Sequence, residues 1–320
     1  MATEIAAEVS FATGRFAASD GVELVTYRWE AVGEPRAMVA IAHGMAEHAA
    51  RYDAFASHLA NAGMIVEAHD HRGHGRTAAT ADELGYFAPT QGWQRIVDDL
   101  KERLTDMRAR HPGLRLILFG HSMGSFVAQQ VLYEAPALID AAILSGSNGK
   151  PLRLASVGRL VARLERLRLG PRGRSDLLAK LSFGPFNRRF APNRTEFDWL
   201  SRDAAQVDAY VADPLCGFPC TTQFWIDLLD ALPALARQKN RERVPEALPL
   251  LIFSGDEDPV GVNLSELVKG YRGNGMTHVA VKFYPGGRHE MLNETNREEV
   301  HADVTAWIDG VLRGAAPQSP

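Results

Sequence analysis

The sequence predicts an α/β fold with a mostly parallel central sheet, flanking helices and one inserted segment. Short apolar runs rich in β-branched residues alternate with segments of helical period. Several of these runs are apolar throughout, which is typical of strands covered on both faces. The alternation stops between about Ser147 and Cys220, where the chain is rich in Arg, Pro and Gly and has no candidate strand.

These patterns place the individual elements before and after the interruption. Strands are expected near residues 23–29, 38–43, 64–69, 114–119, 141–145, 248–254 and 279–284. Helices are expected near residues 52–62, 91–110, 123–133, 222–236 and 300–312. Strands that alternate with helices pair in parallel through right-handed crossovers, so the candidates should form a single sheet.

Composition excludes several classes of protein. The 320 residues are 46% hydrophobic and 23% charged, with a net charge of −4, as in an ordinary globular domain that needs no metal or disulfide to fold. The absence of a basic tract gives no electrostatic footprint for nucleic acid. Neither a signal-peptide pattern nor a stretch of about 18 uncharged apolar residues is present. We therefore expect a cytoplasmic protein without a nucleic-acid partner.

The interrupting block differs in charge from the rest of the chain. Residues 149–218 contain 13 basic and 7 acidic side chains, a net charge of +6, whereas the remainder is acidic. The block begins just after the strand predicted at 141–145. It is therefore interpreted as an insertion, with core residues 1–147, a helical insertion at 148–220 and core residues 221–320.

The two cysteines, Cys216 and Cys220, are four residues apart. A structural zinc site normally needs four ligands, and a redox pair usually reads C-x-x-C. We expect two reduced thiols without a functional role.

The strongest indication of function is the segment Gly120-His121-Ser122-Met123-Gly124. It follows a predicted strand and precedes a predicted helix. A nucleophile on such a turn needs small neighbours, because the turn is sharp and projects the hydroxyl above the sheet. In this context Ser122 is predicted to be a catalytic nucleophile.

A serine hydroxyl needs a histidine base, and the histidine an orienting carboxylate. Of the three histidines after Ser122, His278 lies at the wrong end of its strand and His301 lies inside a predicted helix. His289 follows the strand at 279–284 through a tight turn and is the predicted base.

The orienting acid should follow the strand at 248–254. The segment Gly255-Asp256-Glu257-Asp258-Pro259 offers three carboxylates there. Periodicity does not choose between Asp256 and Asp258. Pro259 would keep Asp258 out of a helix, which is compatible with the role without deciding it.

An oxyanion needs two preorganised backbone N–H groups. One should come from Met123, which follows the nucleophile. The other should come from the loop after the strand at 38–43, where Gly44 lets the backbone approach a substrate and makes the Met45 N–H the candidate.

These segments, taken in order, resemble the monoacylglycerol lipase and lysophospholipase-like family of α/β-hydrolases. The resemblance covers residues 15–312. The matching segments are His43-Gly44-Met45-Ala46-Glu47-His48, Arg51-Tyr52, His69-Asp70-His71-Arg72-Gly73-His74-Gly75, Gly120-His121-Ser122-Met123-Gly124, Asp213-Pro214-Leu215, Gly255-Asp256-Glu257-Asp258, His289-Glu290 and Asn293-Glu294.

The resemblance implies an α/β-hydrolase fold with a helical cap in the insertion, and a serine ester hydrolase without cofactors. It implies Asp258 as the triad acid and Met45 and Met123 as the oxyanion residues. A single-chain lipid ester is the expected substrate, although no substrate-binding residue is assigned. Alternatives on the same fold are a short-chain carboxylesterase, a thioesterase, a C–C bond hydrolase, a cofactor-free haloperoxidase or an inactive binding module.

Two other motifs are interpreted as structural. The run His69-Asp70-His71-Arg72-Gly73-His74 lacks the spacing of a binuclear metal site and a second ligand set, so these side chains are expected to brace loops. The run from Gly73 to Ala78 fits G-x-G-x-x-A, but no helix pattern follows until residue 91, whereas a dinucleotide site needs one at once.

The insertion begins with a basic amphipathic segment. We expect its apolar stripe to pack on the core or over an acyl channel. Peripheral contact with a membrane is the alternative. The stripe consists of Leu152, Leu154, Val157, Leu160, Val161, Leu164 and Leu167, and it alternates with Arg153, Arg159, Arg163, Arg166 and Arg168.

Overall fold

A computed structural model describes residues 11–149 and 155–314. Its strands are β1 (Ala12–Ala17), β2 (Glu23–Trp29), β3 (Ala37–Ala42), β4 (Met64–His69), β5 (Arg115–His121), β6 (Ala141–Ser145), β7 (Leu250–Gly255) and β8 (Val279–Tyr284). They form one sheet in the order β1-β2-β4-β3-β5-β6-β7-β8. The pairings β1–β2 and β2–β4 are antiparallel, and all others are parallel.

Ten α-helices occur in the described residues. They are α1 (Asp53–Asn61), α2 (Gly92–Arg110), α3 (Met123–Glu134), α4 (Ala155–Leu169), α5 (Asp176–Arg188), α6 (Ala204–Ala212), α7 (Thr222–Leu235), α8 (Gln238–Arg241), α9 (Leu264–Gly273) and α10 (Arg297–Leu312). No helix in this part of the chain has both the length and the apolar composition needed to cross a bilayer.

The core forms two layers because alternate strand residues point to opposite faces of the sheet. Met38 and Ala40 of β3 pack on one face with side chains of α2, α3 and α7. Val39 and Ile41 pack on the other face with side chains of α1 and α10. β3 is buried along its whole length. This explains its unbroken apolar sequence.

The predicted mostly parallel sheet is confirmed, and so are all seven predicted strands and all five predicted helices, with shifts of up to three residues at their ends. Three elements of the core were missed, and one of them, α8, is only four residues long. β1 is an edge strand exposed over most of its length, so it lacks the apolar pattern of a buried strand. α9 is short and follows a 3₁₀ turn.

Residues 148–220, which are predicted to be an insertion and are called the inserted segment below, lie between β6 and α7. Its described residues form α4, α5 and α6 and add no strand to the sheet. β3, β5, β6, β7 and β8 run parallel, so their carboxyl ends share one edge of the sheet, where open α/β sheets bind their ligands. The loops that carry the predicted site residues begin at this edge.

Candidate active site

Ser122 occupies a strained turn between β5 and α3. Its φ of 49° and ψ of −120° lie in a region that residues other than glycine seldom adopt. A Cβ atom on Gly120 would lie 2.6 Å from the Gly124 carbonyl oxygen, and one on Gly124 would lie 2.0 Å from the Ala42 carbonyl oxygen. The strand and helix can therefore meet at this turn only because both flanking residues are glycine.

His289 and Asp258 meet at the ends of β8 and β7. The Nδ1–H of His289 donates to Asp258 Oδ1 at 2.9 Å, and both side chains are buried. Asp258 also accepts hydrogen bonds from the Ser254 hydroxyl at 2.7 Å and from the Val260 N–H at 2.8 Å. Asp256 is exposed and accepts from the Gly286 N–H at 2.7 Å. The structure thus brings Asp258, and not Asp256, to the histidine.

The imidazole of His289 lies beside the turn that carries Ser122. Its ring centroid is 4.8 Å from that of His121 and 5.0 Å from that of Trp199. A Cβ atom on Gly146 would come within 2.9 Å of His289 Cε1. Among the described residues, no hydrogen bond joins the Ser122 hydroxyl to His289. Such bonds are often long before a substrate is bound.

Burial and charge act in opposite directions on this pair. Burial by itself would raise the pKa of Asp258, but the charge and hydrogen bond of His289 hold it below its usual value. Burial would likewise lower the pKa of His289, but Asp258, with smaller contributions from Glu290 and Glu47, raises it above 6.5. The pair therefore stabilises a protonated imidazole beside an ionised carboxylate.

Two backbone N–H groups near the nucleophile come from the start of α3 and from the loop after β3. Met123 is the first residue of α3, so its N–H has no acceptor within the helix. The Met45 N–H donates to no group of the described residues, and a Cβ atom on neighbouring Gly44 would lie 3.3 Å from Ser122 Cβ. Both groups remain available to a developing negative charge.

Comparison with known proteins identifies the family. A family profile described as serine aminopeptidase, S33 matches residues 33–296. A monoacylglycerol lipase of Mycolicibacterium smegmatis is 30% identical over 92% of this chain and 95% of its own length. The human monoglyceride lipase is 28% identical over 94% of this chain and 92% of its own.

This chain belongs to the monoacylglycerol lipase-like family of serine α/β-hydrolases. It is a serine ester hydrolase with a small-molecule ester or lipid as its substrate. The fold agrees with this assignment. A carboxyl esterase from Bacillus coagulans superposes with a TM-score of 0.87 at 26% identity, covering 95% of this chain and 99% of the other.

A buried charge network supports the loop after β3 in this serine hydrolase. Arg51 donates to both carboxylate oxygens of Glu290 at 2.8 and 2.7 Å, and to Glu47 at 2.6 Å. Glu47 accepts from the Gly44 N–H at 2.5 Å and from the Tyr52 hydroxyl at 2.9 Å. The family segments contain all of these residues, but nothing in their spacing revealed that they meet.

The same network separates the pKa values of its two carboxyl groups. Burial would raise the pKa of Glu290, but the charge and hydrogen bonds of Arg51 lower it to about 2. Burial raises the pKa of Glu47, and the nearby Glu290 charge adds to this rise against the opposing charge of Arg51. Glu290 is therefore the ionised carboxylate that pairs with Arg51.

The run of histidines near residue 70 lies under the loop after β3. The rings of His43 and His71 are 4.2 Å apart, and the His71 N–H donates to His43 Nε2 at 2.9 Å. Both nitrogens of the His71 ring lack a partner in the described part of the chain. No α-helix of the described residues starts directly after the Gly73 run, since only a 3₁₀ turn at Ala81–Glu83 precedes α2, which begins at Gly92.

A different group of potential metal ligands was not anticipated. Side-chain donor atoms of His48, Asp213 and Cys216 lie within 4.8 Å of one another. However, His48 Nε2 already shares a hydrogen bond of 2.8 Å with Asp213. Burial also raises the pKa of the Cys216 thiol, against the opposing charge of Arg51. These features favour a hydrogen-bonded pair of His48 and Asp213 beside a neutral thiol over a cation site.

The expected packing is wrong for four of the five described residues of the apolar stripe on α4. Val157, Leu160, Leu164 and Leu167 are between 56% and 81% exposed, whereas Val161 packs against the core. α4 packs on the core and on α7 through the fully buried Ala162, and its Arg159 and Arg163 bind Asp230 of α7. The stripe therefore does not line an acyl channel. Leu152 and Leu154 lie outside the described residues.

Proposed function

We propose that this serine hydrolase cleaves single-chain lipid esters, such as monoacylglycerols or lysophospholipids, through an acyl-enzyme on Ser122. The observation that carries the proposal is the hydrogen bond between Asp258 and His289, adjacent to the strained turn of Ser122. In the proposed triad, Ser122 is the nucleophile, His289 is the base and Asp258 orients the imidazole.

The reaction runs in two halves. Ser122 Oγ forms a bond to the ester carbonyl carbon while its proton passes to His289 Nε2. The N–H groups of Met45 and Met123 stabilise the oxyanion. As the intermediate collapses, His289 returns the proton to the leaving alcohol. Water, deprotonated by His289, then releases the carboxylic acid and restores Ser122.

Two observations support a lipid substrate. The relatives from Mycolicibacterium smegmatis and human are named monoacylglycerol and monoglyceride lipases. In addition, residues of the inserted segment form an aromatic cluster that reaches the proposed base, with Trp199 against His289 and Phe183 and Phe186 behind it. We propose that the inserted segment is a cap and that this cluster shields the acyl chain from water.

A chain-length series tests the proposal. kcat/KM should rise from acetate through octanoate and longer p-nitrophenyl esters, because each buried methylene contributes about 0.8 kcal/mol. Monoacylglycerol and lysophosphatidylcholine would be assayed beside them. Ser122→Ala is the control and should lose a factor on the order of 10⁶ in kcat. Activity of that variant within tenfold of wild type would remove Ser122 from the mechanism.

The second candidate is a short-chain carboxylesterase. It is favoured by the structural similarity to the Bacillus coagulans carboxyl esterase. A preference for acetate over octanoate in the same series would select this function and reject the lipid substrate.

We also propose that α4 contacts a lipid surface. Its four exposed apolar residues recur at intervals of three and four, so they form a single stripe. Leu177 and Leu181 of the adjoining α5 are about half exposed as well. The inserted segment carries a net positive charge in an otherwise acidic chain. An anionic bilayer complements both properties.

Co-sedimentation with phosphatidylserine-containing vesicles tests this contact. Leu160→Asp combined with Leu164→Asp should lower binding at least tenfold, because burying each leucine contributes about 2 kcal/mol. Its kcat/KM on soluble p-nitrophenyl butyrate should stay unchanged. The matched control is Val32→Asp, which alters a half-exposed residue of the core. Equal vesicle binding by the wild-type protein and the double variant would contradict the proposal.

A further inference from the structure

The imidazole of the proposed base contacts two rings that belong to different parts of the chain. His121, at the end of β5, has its ring centroid at 4.8 Å. Trp199, from the inserted segment, has its ring centroid at 5.0 Å and its plane tilted by 36°. Asp258 fixes Nδ1 of the same ring. One of the two contacting rings thus belongs to the core and the other to the inserted segment.

Trp199 is itself firmly held. It is 5% exposed, and its backbone N–H donates to the side-chain oxygen of Asn187 at 3.0 Å. Its ring stacks on Phe183 with centroids 5.9 Å apart and contacts Phe186 at 5.2 Å. A ring packed in this way cannot move away without disrupting the aromatic cluster.

The backbone beside Trp199 follows the loop that carries the proposed base. The carbonyl of Trp199 accepts from the His289 N–H at 3.4 Å, and that of Leu200 accepts from the Glu290 N–H at 2.8 Å. Ser201 donates its hydroxyl proton to the Asn293 carbonyl at 2.8 Å. Arg202 pairs with Glu294 at 2.9 Å. Four successive residues of the inserted segment therefore bind the base loop.

We propose that Trp199 is a positioning residue for His289. Ser122 is then fully reactive only when the inserted segment packs against the base loop. The indole face of Trp199 limits rotation of the imidazole and keeps Nε2 directed for proton transfer. The inference rests on the proposed triad and does not depend on the lipid substrate. A misplacement of about 1 Å in a reacting group can cost roughly 100-fold in rate.

Two substitutions of Trp199 distinguish an effect of its ring face from an effect of its indole N–H. Trp199 Nε1 has no hydrogen-bond partner in the described part of the chain. The positioning effect therefore comes from the aromatic face. It should survive in Trp199→Phe and be lost in Trp199→Ala.

The experiment compares these two variants with Trp225→Ala. Trp225 of α7 lies outside the aromatic cluster of the inserted segment; it contacts Phe183, with ring centroids 5.9 Å apart, and makes no ring contact with His289. kcat and KM are measured on p-nitrophenyl butyrate, and rates are expressed per Ser122 titrated with a fluorophosphonate, so unfolded protein is not counted. A Trp199→Ala protein that titrates no sites is replaced by Trp199→Leu, for which the same result is expected.

Trp199→Ala should lower kcat by about 10- to 100-fold with less than a threefold change in KM. Trp199→Phe and Trp225→Ala should stay within threefold of wild type. The acid limb of kcat/KM should also move to higher pH in Trp199→Ala, because water would reach an imidazole whose pKa burial now lowers. The charged and titratable groups near that imidazole, which are Asp258, Glu290, Glu47 and His121, are unchanged in the variant.

Two results would overturn the inference. One is turnover by Trp199→Ala within threefold of wild type, with an unmoved acid limb. The other is an equal loss in Trp225→Ala, which would indicate a general effect of the cluster. Failure of the wild-type protein to label at Ser122 would instead reject the triad, and this inference with it.

Discussion

At the residue scale, two acids separated by one position have opposite environments. Asp258 is 3% exposed and accepts hydrogen bonds from His289, Ser254 and Val260, whereas Asp256 faces solvent. A buried carboxylate is stable only when several donors compensate its lost hydration. Asp258 has those donors, and one of them is the imidazole it would orient.

Asp258→Asn is expected to lower kcat for ester hydrolysis by roughly 10⁴, because an amide no longer holds the imidazole in the required tautomer. Asp256→Asn is the matched control and should stay within a few-fold of wild type. Steady-state assays of both purified variants measure these two kcat values. The reverse ranking would transfer the role to Asp256.

The acid limb of the pH–rate profile should reflect His289. Asp258 raises the pKa of this imidazole above 6.5, and only the neutral form can accept the Ser122 proton. kcat/KM should therefore fall as the pH drops through a value above 6.5. The profile would be recorded with an uncharged ester. An acid limb centred below 6.5 would contradict the assigned base or its environment.

At the element scale, the loop after β3 is held by both the core and the inserted segment. Ala46 has a φ of 54°, and its carbonyl accepts from the Tyr210 hydroxyl at 2.9 Å and the Gly217 N–H at 2.9 Å. On the other side, Glu47 binds Gly44 and Arg51. The position of the Met45 N–H therefore depends on contacts from both regions.

Tyr210→Phe is expected to lower kcat about tenfold, less than the 10²–10³ lost with an oxyanion donor itself, because Gly217 still holds the Ala46 carbonyl. The loss of unfolding free energy should be about 1 kcal/mol. Tyr284→Phe, which removes a hydrogen bond to Asp303, is the control. It should lose similar stability and keep its kcat. Unchanged turnover in Tyr210→Phe would show that this contact does not set the loop.

At the scale of the whole molecule, burial of neutral histidines should make stability depend on pH. Burial lowers the pKa of His74 and His301 to about 4 and that of His69 and His121 to about 3. It also lowers the pKa values of His43 and His71. The raised pKa values of His289 and of four carboxyl groups, those of Glu47, Asp70, Asp99 and Asp227, act in the opposite direction but are fewer.

The unfolding free energy should therefore decrease as the pH falls below about 6.5, because the unfolded chain binds more protons than the native one. Each histidine contributes at most about 1.4 kcal/mol per pH unit. Urea denaturation at several pH values between 7 and 5 measures the slope. His74→Phe should reduce the slope of unfolding free energy against pH by up to about 1.4 kcal/mol per pH unit, which corresponds to one proton. A flat dependence over this range would contradict the prediction.

Local patterns in the sequence were sufficient for seven of the eight strands, for five of the helices and for the turn at Ser122. A strand buried on both faces must be apolar throughout, as β3 is. A turn as tight as that at Ser122 must be flanked by residues without side chains. Because these constraints act between near neighbours in the chain, they are visible without the fold. The family and the serine hydrolase class were predicted from the same segments and are confirmed. The triad roles and a cytoplasmic location stay predictions.

Contacts between distant segments could be found only in the tertiary structure. Spacing left Asp256 and Asp258 equivalent, and the fold turned one towards His289 and the other to solvent. Nothing in the sequence around Trp199 indicated that it packs against an imidazole 90 residues later. The apolar stripe of α4 showed that one face was hydrophobic, but not what covers it. That was decided by the packing of Ala162 on the core and the binding of Arg159 and Arg163 to Asp230, which leave the leucines exposed. Periodicity specifies a face along an element, whereas its partner depends on how the elements pack.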